Sequence, residues 1–321
     1  MRTIQASNGQ LPYGYTGKIL RINLTDSTAH ELDASRYLPR YVGGRALCNR
    51  LFWDDVPGHV GAFDPDNELI FMTGATAGTG LPSSGRITIT GVSPNALPEQ
   101  YTHSNMGGYF GPMLKWAGYD GLIISGKAPK HTYVRIEDDA VEFLDADEDG
   151  LWGLFVHDAQ DKIQEMYGKE THSIVCSPAG EALHRNATLT NGGDSASAKA
   201  GFGAVFGAKN LKAVCVHGTG FVKPANVDAV MRLRSSIGNT PKSPNPLTLG
   251  HPFASTDTHS AGAVALDPAD PDALAVARLD CCQGCNARCM NTVFDVEDPL
   301  GRGGAVTQVA KCIDLMAGDY R

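Results

Sequence analysis

The sequence predicts an α+β fold, and three observations carry that prediction. Short β-rich runs recur up to residue 222. Between them lie helical stretches with apolar residues at three- and four-residue spacing. Past Val222 the composition changes, which marks a boundary between residues 1–222 and residues 223–321. A chain of 321 residues that is 42% apolar has ample material for a buried core and length for two such domains.

The elements follow in order. Residues 17–24, Gly-Lys-Ile-Leu-Arg-Ile-Asn-Leu, alternate near period two and open the strand series. Further strands are predicted at 68–72, 86–91, 121–125, 132–136, 173–176 and 211–216, where β-branched and apolar residues cluster. Residues 37–53, 110–117 and 154–167 carry helical periodicity. The acidic run 137–149 is interleaved with Val141, Phe143 and Leu144, the pattern of the solvated face and turns of a hairpin. Glycines gather where elements meet, at 43–44, 74–80, 107–111 and 201–203, and such loops suit either ordinary turns or close approach to a flat ligand or a phosphate. Pro224 and Asn226 open a short helix through residue 237. Residues 239–272, rich in Pro, Ser, Thr, Asp and Ala, read as a long segment that covers something or orders on assembly. A last helix is predicted at 306–316.

A net charge of −8 with 27 Lys and Arg and no basic run excludes a duplex-binding surface, because phosphate neutralisation needs clustered cations. Neither a signal-peptide core near Met1 nor a membrane-spanning apolar stretch is visible, so the chain reads as cytoplasmic. In a reducing compartment its eight cysteines need another explanation than disulfides. Cys48, Cys176 and Cys215 stand singly among apolar residues and read as small buried hydrophobes. Cys282, Cys285 and Cys289 stand at the intervals that let three sulfurs converge on one centre. Such spacing serves both cubane iron–sulfur clusters and structural zinc, the latter completed by Cys281, Cys312 or a distant histidine.

The segment 13–25, Tyr-Gly-Tyr-Thr-Gly-Lys-Ile-Leu-Arg-Ile-Asn-Leu-Thr, resembles the opening of the aldehyde ferredoxin oxidoreductase family. Similar family strings follow in the same order: Tyr-Val-Gly-Gly-Arg at 41–45, Thr-Gly-Ala-Thr-Ala-Gly-Thr at 73–79, Ser-Ser-Gly-Arg at 83–86 and Ser-Asn-Met-Gly-Gly-Tyr-Phe-Gly at 104–111. Lys-Trp-Ala-Gly-Tyr-Asp-Gly at 115–121, Pro-Ala-Gly-Glu at 178–181 and the stretch 203–213 continue the series. The resemblance implies a two-sheet, pterin-binding first domain and the start of a mainly helical, iron–sulfur-binding second one. It implies a tungsten- or molybdenum-bis-pterin with magnesium bridging the pterin phosphates, and a [4Fe–4S] cluster. It also implies oxidation of a small aldehyde to a carboxylic acid, with electrons passing to ferredoxin or an iron–sulfur subunit.

By the same resemblance Arg86 would sit between a pterin and the cluster. Asn105, Met106, Gly107 and Gly108 would approach the pterin phosphates and magnesium, with Ser195, Ala196 and Lys199 in the same region. Cys282, Cys285 and Cys289 would supply three of four cluster ligands. No catalytic residue is assigned, because the acid and base groups of the family would lie in a companion chain or a segment beyond Arg321. Where the family has two arginines, this sequence has Ser195 and Lys199, so one charge is lost and one bidentate donor becomes a point charge. Two other readings stay open: a benzoyl-coenzyme A reductase-like member of the superfamily, and a non-catalytic cofactor-binding or electron-relay subunit or fragment.

Overall fold

The structure, a computed structural model, describes residues 2–4, 13–38, 40–81, 84–191, 195–238, 276–280, 290–297 and 305–310. Its first part is built from two six-stranded mixed sheets. The first has the order β3 (Thr28–Asp33), β2 (Lys18–Asn23), β7 (Gly121–Ser125), β4 (Leu69–Thr73), β5 (Ile87–Ser93) and β6 (Gln100–Met106). The second has the order β12 (Ser195–Ser197), β11 (Leu189–Asn191), β10 (His172–Cys176), β13 (Leu211–His217), β8 (Thr132–Glu137) and β9 (Ala140–Asp145). In addition β1 (Arg2–Ile4) pairs in parallel with β14 (Gly220–Val222).

Period-two alternation decides what each sheet face meets. In β4, Leu69 and Phe71 join a core shared with the second sheet, whereas Ile70 and Met72 face the opposite way with Ile19 and Ile123. The shared core is filled by α2 (Phe110–Ala117) and α5 (Phe202–Ala208), through Phe110, Met113, Leu114, Phe202, Val205 and Phe206. The outer face of the first sheet is covered by α1 (Gly44–Asp55) through Leu47, Cys48 and Leu51. The outer face of the second is covered by α3 (Val156–Tyr167) through Ala159 and Ile163, against Tyr133, Val175, Ala213 and Cys215. The result is a layered stack of helix, sheet, two helices, sheet and helix. Cys48, Cys176 and Cys215 are buried, and burial pushes each thiol up to about 12, so all three are packing residues as expected.

The short helix α4 (Pro178–Glu181) meets α5 backbone to backbone: a Cβ on Gly180 would fall 2.6 Å from the Gly203 carbonyl oxygen. Only glycine permits that approach.

Lys209, just after α5, ties the two sheets together through backbone carbonyls and has no ion-pair partner within reach among the described residues. Its Nζ donates to the Pro65 carbonyl at 2.9 Å and to the Gly126 carbonyl at 3.0 Å. Burial pulls its pKa down from 10.5 to about 7, against the opposing pull of Glu68, Asp66 and Asp64. Between those pH values the unfolded chain carries the extra proton, so stability from this residue rises as pH climbs from about 7 towards 10. Urea unfolding across that range should show the rise in the native chain and lose it in Lys209→Met. An unchanged slope in the variant would place the titration elsewhere.

Past Val222, α6 (Val227–Gly238) starts where the sequence places it, with Asn226 Oδ1 accepting the Ala229 amide at 2.8 Å as a cap. The helix predicted at 306–316 is corrected: β17 (Ala305–Ala310) is a strand, paired antiparallel with β16 (Met290–Glu297), which also pairs with β15 (Val276–Asp280). Val306, Thr307 and Val309 are β-branched, and strand pairing outweighs the helical spacing of the apolar residues. The described residues of this part are therefore one helix and three strands, and the rest of the helical domain expected here lies outside the described residues.

Candidate functional site

The predicted cofactor positions converge on one edge. Antiparallel pairing of β5 and β6 sets Ile87 opposite Met106 and Thr88 opposite Asn105, so Arg86 and Gly107 follow at the same end of the hairpin. Thr88 Oγ1 donates to Asn105 Oδ1 at 2.9 Å, which fixes the amide orientation. The second sheet arrives from the other side, β12 lying against β6. Two bonds pin this junction at its ends. Asn191 Nδ2 donates to the Gly107 carbonyl at 2.6 Å, and Ser93 Oγ donates to the Ala200 carbonyl at 2.8 Å. Asn105 to Gly108 and Ser195 to Lys199, about ninety residues apart in sequence, are thereby brought side by side.

Their individual placements differ. Arg86 is exposed, as is Lys199, and neither forms an ion pair with the described residues. Asn105, Ser195 and Ala196 are half-buried, with Ala196 paired to Thr190 in the ladder. Gly108 turns the chain at φ 86°. Met106 does not line the edge with its side chain, which is buried in the core between the sheets; only its backbone is at the junction. Cys282, Cys285 and Cys289 lie outside the described residues, as do Cys281 and Cys312.

Several residues at this edge were not singled out from sequence. Asn191 and Ser197 are fully buried, and Asn191 Oδ1 and Ser197 Oγ have no hydrogen-bond partner among the described residues. Buried polar atoms left without partners are costly, and at a functional edge they point to a ligand that completes them. His103 and Tyr101 share the face of β6 that carries Asn105. Tyr101 donates to Asn49 Oδ1 of α1 at 2.5 Å, and burial pushes its hydroxyl up to about 12. Period two through Tyr101, His103 and Asn105 was the available signal, but the strand's polar composition hid it.

Glycine loops frame the same end of the first sheet. Gly43, at φ 101°, bridges to Gly74; a Cβ there would meet the Thr73 carbonyl oxygen at 2.5 Å. Gly74 and Gly80 face open space, where a Cβ would meet nothing within 4 Å. The loop 74–80 is held from below by Trp116 Nε1, which donates to the Gly78 carbonyl at 2.9 Å. The loop 14–17 is held by Lys115 and Asp120. Lys115 Nζ donates to the Gly14 carbonyl and lies 3.0 Å from the Asp120 carboxylate, which accepts from the Thr16 and Gly17 amides. Among the described residues no group of acids, histidines and cysteines could hold a metal ion directly, and no helix is long and apolar enough to cross a membrane.

A family profile described as "Aldehyde ferredoxin oxidoreductase, N-terminal domain" matches residues 19–218. The tungsten-containing aldehyde ferredoxin oxidoreductase of Pyrococcus abyssi (strain GE5 / Orsay) is 38% identical over 235 residues, which cover 72% of this chain and 38% of that protein. The aliphatic sulfonate oxidoreductase, WOR-like subunit, of Pyrococcus furiosus is 33% identical over 225 residues, 65% of this chain and 35% of that one. Among solved structures, the active site complex BamBC of benzoyl coenzyme A reductase with 1,5 dienoyl-CoA matches with a TM-score of 0.78 at 27% identity, over 94% of this chain and 49% of that one. The match covers well under half the length of these curated relatives. On the profile match over residues 19–218, the chain belongs to the aldehyde ferredoxin oxidoreductase family.

Proposed function

We propose that residues 1–222 are the cofactor-bearing base of a tungsten or molybdenum oxidoreductase, with the bis-pterin lying along the edge where β6 meets β12. The observation that carries this reading is the junction itself: Asn105 to Gly108 and Ser195 to Lys199 meet there beside two buried oxygens and exposed cations that have no partner among the described residues. The residues fit the group. Asn191 Oδ1 can accept from a heterocycle N–H, Ser197 Oγ can donate or accept, and Arg86 and Lys199 can meet phosphate oxygens. The open positions at Gly74 and Gly80 leave room for a flat ligand to approach the backbone.

When bound, such a metal–pterin group would supply the oxidation of an aldehyde and water to a carboxylic acid, accepting two electrons while two protons are released. This chain's work would be to hold and tune it. Arg86 presents a planar, permanently charged donor fork at the open edge, suited to bridge a pterin and a neighbouring cluster. Asn191 holds the Gly107–Gly108 turn, and backbone groups of Asn105 and that turn would meet the cofactor's phosphates and magnesium. In residues 223–321, Cys282, Cys285 and Cys289 would bind a [4Fe–4S] cluster, with a fourth ligand from a companion chain or later segment. Electrons would leave singly to ferredoxin or an iron–sulfur subunit.

The structural likeness to the benzoyl coenzyme A reductase complex over 94% of the chain supports a second reading, in which electrons flow towards reduction of an aromatic thioester. Metal analysis of the anaerobically purified protein, with the subunits that copurify, tests the first. Tungsten or molybdenum at about one per chain with about four irons is expected. Zinc without iron would overturn it, and activity on an aromatic thioester with none on aldehydes would select the second reading.

A further inference from the structure

The cofactor reading uses the β6 and β12 edges of the two sheets, and the opposite edges, β3 and β9, enclose a cleft that it leaves unexplained. Period two gives the walls of this cleft. Leu20 stands opposite Glu31 and Ile22 opposite Ala29, so Leu20, Ala29 and Glu31 share the face of the first sheet that is turned towards the second. In β9 the same alternation turns Val141 and Phe143 towards the first sheet, with Asp139 at the rim in the β8–β9 turn. Helices α2 and α5 fill the middle of the space between the sheets. At this edge the core ends instead on Ala29, Val141 and Phe143, each only partly covered. A cleft of about 300 Å³ opens there, with the buried side chains of Leu20 and Tyr119 as its floor and Ser27 and His30 completing its mouth. That volume lies at the small end for organic ligands and holds one ring with a short chain.

The charges at the mouth are unequally satisfied. Glu31 is held by Lys18 Nζ at 2.7 Å. Asp138 is taken up by Thr219, which donates to its carboxylate from the amide at 2.8 Å and from the hydroxyl at 2.7 Å. Those two bonds fix the turn and leave the neighbouring Asp139 exposed, with no hydrogen bond or ion pair among the described residues. The cleft therefore combines aliphatic walls, two aromatic rings and one carboxylate without a counter-ion. An organic cation satisfies all three, because its carbon skeleton covers apolar surface, its charge is attracted to ring faces, and its N–H groups reach a carboxylate.

We propose that the cleft between β3 and β9 binds a small arylalkylammonium ion, its ring against Phe143 and Tyr119 and its ammonium at Asp139. This site lies at the far edge of both sheets from the cofactor edge and does not depend on the cofactor reading.

The test uses the full chain at neutral pH and low ionic strength, with phenethylammonium as the probe. Phenethyl alcohol is its uncharged counterpart and phenylacetate its anionic one. Titration calorimetry and the broadening of the probe's ring protons in NMR both read binding. A dissociation constant of about 1 mM or below is expected for the ammonium, with the alcohol about tenfold weaker and the carboxylate unbound. Asp139→Asn should bring the ammonium to the level of the alcohol and leave the alcohol unchanged. Asp139 is exposed in a turn that Asp138 holds, so this variant should unfold like the native chain. Phe143→Leu should weaken ammonium and alcohol alike, by about three- to tenfold. Equal affinity for the ammonium and the alcohol, ammonium binding that survives Asp139→Asn, or no binding of the ammonium up to about 10 mM would overturn the proposal. The pterin content of Asp139→Asn should equal that of the native protein whichever result is found, which keeps this test separate from that of the cofactor edge.

Discussion

Lys115→Met is expected to lower the unfolding free energy by about 3–5 kcal/mol, because it strands a buried carboxylate. Lys115 and Asp120 have side chains only 1% and 4% exposed, with 3.0 Å between Nζ and Oδ1. The ammonium also donates to the Gly14 carbonyl and lies 5.2 Å from the centre of the Tyr15 ring. Asp120 binds the Thr16 and Gly17 amides with its side chain, while its own carbonyl takes the Thr73 hydroxyl at 2.7 Å. One ion pair thus sets three loops at the glycine-rich end of the first sheet. The corresponding fall in melting temperature is roughly 6–20 °C for an ordered part of this size. Lys115→Met combined with Asp120→Asn should cost less than the two changes added separately, by about 1–3 kcal/mol, since the pair then vanishes together. Thermal and urea unfolding measure both. A loss under about 1 kcal/mol in Lys115→Met would show that water or another cation reaches Asp120.

Much of this fold was legible because its strands are buried on both faces or alternate cleanly. The predicted strand at 121–125 coincides with β7, and those at 132–136, 173–176 and 211–216 differ from β8, β10 and β13 by one residue at an end. The hairpin read from the acidic run is β8 and β9. The helix at 37–53 begins only at Gly44, because positive φ at Val42 and Gly43 interrupts the apolar spacing. β3 and β6 were missed for one reason: both are edge strands of polar composition, so apolar alternation is weak. α5 was missed for the opposite one. It is buried all round between two sheets, so it has no polar face to create a period.

The candidate site divides along similar lines. Asn105, Gly107 and Gly108 were reached through a family resemblance, whereas Asn191 and Ser197 gain meaning only from tertiary neighbours. No periodicity places Asn191 beneath Gly107; the register of β5 with β6 and the approach of β12 do that.

The second large effect concerns the cofactor itself. Arg86 is exposed and has no ion-pair partner among the described residues, so Arg86→Ala should leave stability within about 0.5 kcal/mol of the native value. It should nevertheless lower retained pterin about tenfold under dilution, the effect of losing one or two charge-assisted hydrogen bonds. Asn105→Leu should act in the same direction, because it removes the amide that Thr88 orients at the edge. Lys130→Ala, which breaks an exposed pair with Asp145 at the far edge of the second sheet, provides the control.

The most direct measurement is therefore the pterin released by acid oxidation from equal amounts of these four proteins, purified anaerobically with their partner subunits. Pterin in the native protein and in Lys130→Ala, with a deep loss in Arg86→Ala and Asn105→Leu, is the result expected if the β6–β12 edge carries the cofactor. Equal pterin in all four, or none in the native protein, would contradict it.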